Sequence, residues 1–407
     1  MSDIVVIGAG QAGAALVAKL RHLKFEGSIT LIGEEPVPPY QRPPLSKAYL
    51  LGEMELSRLY LRPESFYPEH DIDLKTGTRV ERIDPVAKTV TFENGETLGY
   101  GQLALTTGSL PNRLPAAIGG DLGGVYTVRT LADVDAMAHE FAEGRRVLVI
   151  GGGYIGLEAA AVAAKKGMQV TIVEMAQRIL QRVAAPETSE YFRALHKAHG
   201  ATILEEVGLS KLTGEGHVSG AELTDGSTID VDFVVVGVGI KPDVALADAA
   251  GLAIDNGIKT DAQGRTSDTS IFAAGDCASF PYKGERIRLE SVGNAIDQAE
   301  VVAQNMLGAG KDYIAKPWFW SDQYDTKLQI AGLNTGYDRV VTRDDGTEDG
   351  KTSVSYWYYA GETLVAVDAM NDPRAYMVGK RLIEGGKSPD PEAVGNPETD
   401  LKALLKA

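Results

Sequence analysis

Gly8-Ala9-Gly10-Gln11-Ala12-Gly13 follows the apolar run Ile4-Val5-Val6-Ile7. About 140 residues later, Gly151-Gly152-Gly153-Tyr154-Ile155-Gly156 follows Val147-Leu148-Val149-Ile150. Each glycine set leads into an alanine-rich stretch and then into a second apolar run ending in an acid. The acid is Glu34 after Leu31-Ile32-Gly33, and Glu174 after Thr171-Ile172-Val173. Few patterns constrain a fold as tightly, because this one demands strand, tight turn, helix and strand in that order. The first glycine makes the turn, the second lets a pyrophosphate approach the backbone, and the third lets helix and strand pack closely. The helix N-terminus then offers free N–H groups and a positive dipole end to phosphates, while the acid accepts hydrogen bonds from ribose hydroxyls. One GxGxxG alone says little. Two complete units on one chain imply two dinucleotide sites, one for a flavin and one for a nicotinamide.

The duplication extends further. Asn94-Gly95 and Asp225-Gly226 are hairpin-turn dipeptides. Each lies 14 positions before a glycine that closes an apolar run, at Gly108 and Gly239. Each half therefore reads as β-α-β, a β-meander, and a buried strand ending beside the ligand. After the second half, SDTSIFAAGD holds a short strand ending at Gly275-Asp276, and a helix is expected over roughly 292–307. From Pro317 the aromatics concentrate: Trp318, Phe319, Trp320, Tyr324 and Tyr356 to Tyr359. Alternating segments near 327–333, 338–343, 353–359 and 363–369 predict an antiparallel sheet. Helices near 373–385 and 398–406 would cover it, with a loop over 384–397. The fold class is α/β, with two Rossmann-like dinucleotide-binding domains, each three-layered ββα with a β-meander, and a C-terminal α+β domain. The boundaries read as 1–111 with 241–315 for the flavin domain, 112–240 for the nicotinamide domain, and 316–407 for the third.

Bulk composition excludes several classes. The 407 residues suffice for two to four domains, and 44% hydrophobic with 24% charged content is ordinary for a globular protein. No run of 18 apolar residues marks a transmembrane helix. MSDIVVIG enters a strand at once, which leaves no room for a signal peptide, and a cytoplasmic location is expected. Cys277 is the one cysteine, so no intrachain disulfide can form. A net charge of −16 argues against nucleic-acid binding. The six histidines show no ligand spacing, so no metal is expected.

Three segments sharpen the picture: Tyr40-Gln41-Arg42-Pro43-Pro44-Leu45-Ser46-Lys47, the run from Gly151 to Glu158, and Pro317-Trp318-Phe319-Trp320-Ser321-Asp322-Gln323. Together with the paired fingerprints they resemble the NADH-dependent, FAD-containing ferredoxin reductases of oxygenase systems. These are the putidaredoxin-reductase type of the glutathione-reductase-like flavoproteins. The resemblance covers nearly the whole chain. Disulfide reductases of this fold carry a Cys-x4-Cys pair near the flavin, and the flavin peroxidases one early cysteine. Neither is present, so electrons must leave the flavin directly. Cys277 beside Asp276 reads as a packed thiol.

For FAD, bound tightly without a covalent link, Gly8, Gly10, Ala12 and Gly13 are assigned to the pyrophosphate and Glu34 to the ribose. Thr107 and Gly108 close the strand beside the cofactor, with Arg42 and Arg129 as phosphate or adenine partners. Asp276 is expected to accept from the ribityl chain. Val292, at a helix start, is expected to aim N–H groups at the pyrimidine end of the flavin. The resemblance implies that Val80 contacts adenine through its backbone. It also places Lys47 against the flavin near N5, with Glu158 pairing to it; these two are the catalytic candidates. Trp320 is expected to flank the flavin, and Trp318 to lie in the core. For NAD, Gly151, Gly153, Ile155 and Gly156 form the phosphate turn, Val238 and Gly239 border the nicotinamide, Glu158 with Lys47 positions it, and Glu290 lies near it. Glu174 should bind the ribose hydroxyls and repel a 2′-phosphate, favouring NADH; Arg178 and Arg182 lie close enough in sequence to soften that preference.

The implied activity is hydride transfer from NADH to FAD and single-electron delivery to a [2Fe–2S] ferredoxin serving a cytochrome P-450 monooxygenase or an aromatic-ring dioxygenase. Ferredoxins of this type are acidic, so docking would rest on a local basic patch, with Arg58, Arg62, Lys311, Lys327 and Arg339 as candidates. A monomer or weak dimer is expected, without membrane or nucleic-acid partners. A rubredoxin reductase or NADH oxidase of the same fold, and a flavin redox sensor or interaction protein, remain open at this point.

Overall fold

The computed structural model describes residues 1–348 and 350–406. By contacts the chain forms two compact units. The first comprises Met1–Arg42, Glu55–Leu110 and Ile240–Pro317; the second comprises Pro43–Met54, Pro111–Gly239 and Trp318–Ala407. The segment carrying Lys47 thus belongs to the same unit as the second fingerprint.

In the first unit, β1 (Ser2–Ile7) leads through the glycine turn into α1 (Gln11–His22) and on to β2 (Ile29–Ile32). The sheet runs Ile72–Lys75, β2, β1, Thr97–Leu105, Thr89–Phe92, Val80–Asp84, with Ile271–Ala273 also parallel to Thr97–Leu105. From Ile4 to Ile7 β1 is apolar because both of its faces are covered there. Ile4 and Val6 pack with Leu16, Val17 and Leu20 of α1 and with Ala299 and Val302 of the helix Val292–Met306. Val5 and Ile7 face the opposite side, among Val80, Val90 and Leu103.

In the second unit, β3 (Arg146–Ile150), α2 (Tyr154–Lys165) and β4 (Gln169–Glu174) repeat the same strand–helix–strand. Their parallel sheet runs Thr202–Glu205, β4, β3, Phe233–Val236, Val125–Thr127. α2 is alanine-rich and buried from Gly156 to Val162, which is what brings Glu158 indoors. α3 (Pro186–Ala198) begins with a proline at its first turn, where the missing N–H is harmless.

The repeats are not identical. In the first unit one long strand, Thr97–Leu105, both ends the meander and pairs with β1. In the second the meander Leu209–Thr213, Gly220–Leu223, Thr228–Asp230 is a separate sheet. The break falls at Asp232, whose backbone and carboxylate turn to Arg146.

The C-terminal sheet has five antiparallel strands in the order β5 (Trp318–Gln323), β6 (Thr326–Gly332), Thr363–Met370, Lys351–Ala360, Arg339–Glu348. The four expected segments are strands, and the aromatic run over 318–323 is a fifth. Trp357, Tyr358 and Tyr359 are fully buried. The helix Pro373–Glu384 packs on the sheet, but the expected helix over 398–406 is reduced to one 3-10 turn, Ala403–Leu405. The expected loop over 384–397 contains a short helix, Pro391–Gly395, started by the Asp390 carboxylate accepting the Glu392 N–H at 3.2 Å. No described helix is long and apolar enough to cross a membrane.

Candidate functional site: two glycine cradles and a buried ion pair

Both fingerprints fold into the same turn. A Cβ on Gly13 would lie 2.1 Å from the Gly8 carbonyl oxygen, and one on Gly156 would lie 2.2 Å from that of Gly151. No side chain fits at either third glycine, so each helix sits tight on its strand. The middle glycines are the reverse case: nothing lies within 4 Å of a Cβ on Gly10 or Gly153. The open side of each turn therefore offers bare backbone at a helix N-terminus, the donor set that a pyrophosphate requires. Two dinucleotides fit these cradles.

Around the first cradle, Thr106 donates its hydroxyl to the Gly8 oxygen at 2.8 Å and Thr107 donates to Asp243 O at 2.6 Å, beside Gly108. Ala12 is buried in the first turn of α1. Glu34 is exposed and pairs with Arg79 at 3.0 Å. Arg42 is held by Glu35 at 2.6 Å and by the Tyr40 hydroxyl at 3.0 Å. Val80 begins a strand whose register shifts just after it. Asp276 accepts from the Ser109 hydroxyl at 2.9 Å. Val292 opens a helix capped by Ser291, which accepts the Asn294 N–H. Glu290 lies in this first unit, paired with Arg288 at 2.6 Å. Cys277 is fully buried against the carbonyls of Leu105 and Ala274, and burial pushes its thiol up.

Around the second cradle, the Glu174 carboxylate accepts the N–H groups of Gly152 and Ala176, each at 2.8 Å. Ile155 and Val238 are exposed beside it, and Asn112 donates to Gly239 O through its backbone and to Val238 O through its side chain. Arg178 is tied to Ser189 Oγ and Ala184 O, and Arg182 is exposed.

Three residues assigned to the flavin, Lys47, Arg129 and Trp320, belong to the second unit. Arg129 donates its backbone N–H to Asp133, whose helix carries a full capping box with Thr130. Trp320 is half-buried and stacks on Trp318 with centroids 5.4 Å apart. Trp318 was expected in the core but is also only half-buried. Residues two apart on a strand share a face, and this face is the less covered one.

The opposite face of β5 meets the buried carboxylate of α2. Phe319 packs on Tyr154 at 5.0 Å, and Ser321 donates to Glu158 Oε1 at 2.7 Å. Lys47 Nζ and Ser46 Oγ both donate to Glu158 Oε2 at 2.6 Å. Lys47 also reaches the Pro43 carbonyl at 3.3 Å. The Glu158 side chain is 5% exposed and that of Lys47 is 18% exposed, so the pair is largely dry. A buried carboxylate survives only if it is paired and hydrogen-bonded. Here one cation and two hydroxyls meet that need. Lys47 pairs with Glu158 as the resemblance implies; nothing local in the sequence directs Ser46 and Ser321 to the same carboxylate, although both lie in the segments Tyr40–Lys47 and Pro317–Gln323.

The candidate docking cations are all exposed, but they do not form one patch. Lys327 and Arg339 lie at opposite ends of the C-terminal sheet, since Leu328 registers through Met370 with Val354 while Arg339 registers with Tyr359. Five residues of strand separate them by roughly 17 Å, beyond the reach of one screened field.

This arrangement defines a two-dinucleotide oxidoreductase, and comparison with known proteins agrees. Residues 2–299 match the pyridine nucleotide-disulphide oxidoreductase family, and residues 318–405 match the reductase C-terminal domain. The chain belongs to the pyridine nucleotide-disulphide oxidoreductase family and is an FAD-dependent oxidoreductase. It is 43% identical to a ferredoxin–NAD(P)+ reductase of a Sphingomonas species, over 99% of this chain and 97% of that protein. It is 39% identical to the ferredoxin–NAD+ reductase component of the anthranilate 1,2-dioxygenase system of Burkholderia cepacia, over 98% of each. Among solved structures it superimposes on putidaredoxin reductase in its covalent complex with putidaredoxin, with a TM-score of 0.94, 36% identity, and coverage of 100% and 98% of the two chains.

Proposed function

We propose that this chain is an NADH:ferredoxin reductase of an oxygenase system, which takes hydride from NADH onto FAD and hands single electrons to a [2Fe–2S] ferredoxin. One observation carries the reading. In a family whose name contains disulphide chemistry, the one cysteine is Cys277, fully buried in the core of the first unit. A dithiol relay needs two thiols, so the electrons have no stop between flavin and external acceptor.

Bound FAD supplies the ability to accept an electron pair and release it one electron at a time. The chain supplies the rest. The first cradle holds the pyrophosphate of FAD, with Glu34, Arg42, Val80, Thr107, Gly108, Arg129, Asp276, Val292 and Trp320 as its further contacts. Gly151, Gly153, Ile155 and Gly156 hold that of NADH, with Val238, Gly239 and Glu290 toward the nicotinamide. Lys47 presents a fixed positive charge to the ring system, and Glu158 holds that charge in place. Glu174 selects NADH over NADPH. Its carboxylate is already aimed into the phosphate turn by two N–H groups, and Arg178, which would otherwise soften the preference, is engaged elsewhere. The acceptor is acidic and docks transiently.

The deciding experiment is NADH-driven cytochrome c reduction by the purified yellow protein, with and without the ferredoxin encoded in the same source. A large ferredoxin-dependent increase is expected. Bleaching of the flavin without that increase, together with rapid turnover on rubredoxin or oxygen, would overturn the acceptor assignment. In the same assay Lys47→Met should slow flavin bleaching by roughly tenfold or more while FAD stays bound.

A further inference from the structure

The hydrogen bonds around Glu158 do not stop at Ser321. Gln323 Nε2 approaches Ser321 Oγ at 3.2 Å, Gln323 Oε1 lies 2.8 Å from His196 Nε2, and His196 Nδ1 lies 3.2 Å from the Tyr324 hydroxyl. Ser321, Gln323 and His196 are all buried, at 0 to 1% exposure. The geometry follows from matched repeats. Two residues of β5 advance about 6.7 Å and one i to i+4 step of α2 advances about 6 Å, so Phe319 and Ser321 track Tyr154 and Glu158. One strand step further, Gln323 reaches α3. The end of this strand is pinned again where Lys165, the last residue of α2, donates to Tyr324 O at 3.1 Å.

The direction of every bond is set by the charge at one end. A carboxylate only accepts, so Ser321 spends its single proton on Glu158 and its oxygen must accept. Gln323 therefore turns its N–H toward Ser321 and its oxygen toward His196. The His196 proton must then sit on Nε2, leaving Nδ1 to accept from Tyr324. Burial supports this neutral tautomer, pushing the imidazole down from its ordinary range to about 4. An amide in the middle of the chain makes it a poor proton conductor, so its effect is orientation.

We infer that Ser321, Gln323 and His196 are positioning residues for the reaction, a one-way hydrogen-bond chain that fixes the Glu158 carboxylate and through it the Lys47 ammonium. The inference rests on the proposed role of Lys47 toward the flavin. Aligned donors polarise one another, so the chain anchors the carboxylate more firmly than Ser321 alone would.

A double-mutant cycle tests it, read by the rate of flavin bleaching with NADH and by the flavin midpoint potential from redox titration. Ser321→Ala should slow bleaching roughly tenfold, the scale of one hydrogen bond to a charged group. It should move the potential in the same direction as Lys47→Met, by less. Ser321→Thr, which keeps the hydroxyl, should restore the rate to within about threefold of the parent. In the Lys47→Met background, Ser321→Ala should change neither rate nor potential. Gln323→Leu should give the pattern of Ser321→Ala at smaller amplitude, and Ser321→Ala decides the matter if Gln323→Leu fails to fold. If Ser321→Ala slows the Lys47→Met protein as much as it slows the parent, or leaves the parent's rate and potential untouched, the inference is overturned. If Lys47→Met alone alters neither readout, the role proposed for Lys47 is overturned first, so the two failures are told apart.

Discussion

The two glycine fingerprints make the same turn, yet the acids that follow them end in different surroundings. Glu34 reaches the surface and pairs with Arg79, with more than half of each side chain exposed. Glu174 folds back and accepts two backbone N–H groups, one from inside its own glycine turn. An exposed ion pair is worth little, because solvent screens it and two long side chains must be held still. A carboxylate with two N–H donors is held in one orientation. Under the proposed function, the same motif serves a retained FAD in one half and a reversibly bound NADH in the other. The halves also differ in what lies behind them. The second carries a carboxylate–ammonium pair extended by a buried hydrogen-bond chain; the first holds shorter buried chains, such as Tyr313 to Asn294 to Leu289 O, and the half-buried Arg42–Glu35 pair.

The largest effect expected from this comparison comes from the third glycines. Gly13→Val and Gly156→Val each force a side chain against a carbonyl that has nowhere to go, at a cost of about 3 kcal/mol or more. Gly13→Val should purify without its yellow colour. Gly156→Val should stay yellow but lose NADH-dependent bleaching by about a hundredfold at limiting NADH. The 450 nm absorbance per protein and stopped-flow bleaching separate the two; the same loss of colour in both would break the assignment of the halves.

A comparable effect appears only in acid. Neutral His196 contributes stability that is fully present above its ordinary value of 6.5 and is lost as the pH falls through about 4. The loss amounts to up to about 3 kcal/mol. Asp368, buried between Thr188 and Tyr358, is pushed up to about 6 by burial and acts in the opposite sense. Its contribution is present below the ordinary carboxylate range and fades as the pH rises through 6. Urea unfolding between pH 4 and pH 7 should show His196→Gln losing less stability in acid than the parent. Equal slopes for both proteins would show that His196 does not titrate as its burial implies.

Smaller still is Glu174→Ala. It removes one acceptor from two N–H groups and from the ribose, so KM for NADH should rise by roughly tenfold, with NADPH less affected. An unchanged NADH to NADPH ratio would remove Glu174 from the selectivity argument. Glu34→Ala should have the smallest effect, raising the FAD dissociation rate by only a few-fold, because an exposed carboxylate gains little from each ribose hydroxyl. A large loss of FAD from that variant would make the two acids equivalent after all.

Most of the architecture was legible because it is written in local patterns. Glycine spacing, apolar strands and hairpin dipeptides act within a few residues of one another, and both cradles follow from them. Lys47 and Glu158 were found by resemblance, not by spacing, since nothing local joins residues 47 and 158. Trp318 was misplaced because alternation shows which residues share a face but not which face is covered. The helix expected over 398–406 is only the turn Ala403–Leu405, because the Asn396 and Asp400 side chains accept the N–H groups of Glu398 and Lys402, local bonds that compete with a helix. The docking cations were chosen by charge alone, and only strand register shows that Lys327 and Arg339 stand far apart.

By itself, then, the chain's sequence determined that two dinucleotides could be held and that no thiol pair could carry electrons between them. Both facts depend on residue type and short spacing. Only the tertiary structure decided what each fingerprint's acid meets, and which groups reach the Glu158 carboxylate directly or through Ser321. Ser46, Lys47, His196, Ser321 and Gln323 come from three distant stretches of chain. Ser321 meets Glu158 because a β-strand's two-residue step nearly equals an i to i+4 step of the helix it packs on, while packing of other elements brings in Ser46, Lys47 and His196. Such a match is a property of packed elements, and no window of sequence contains it.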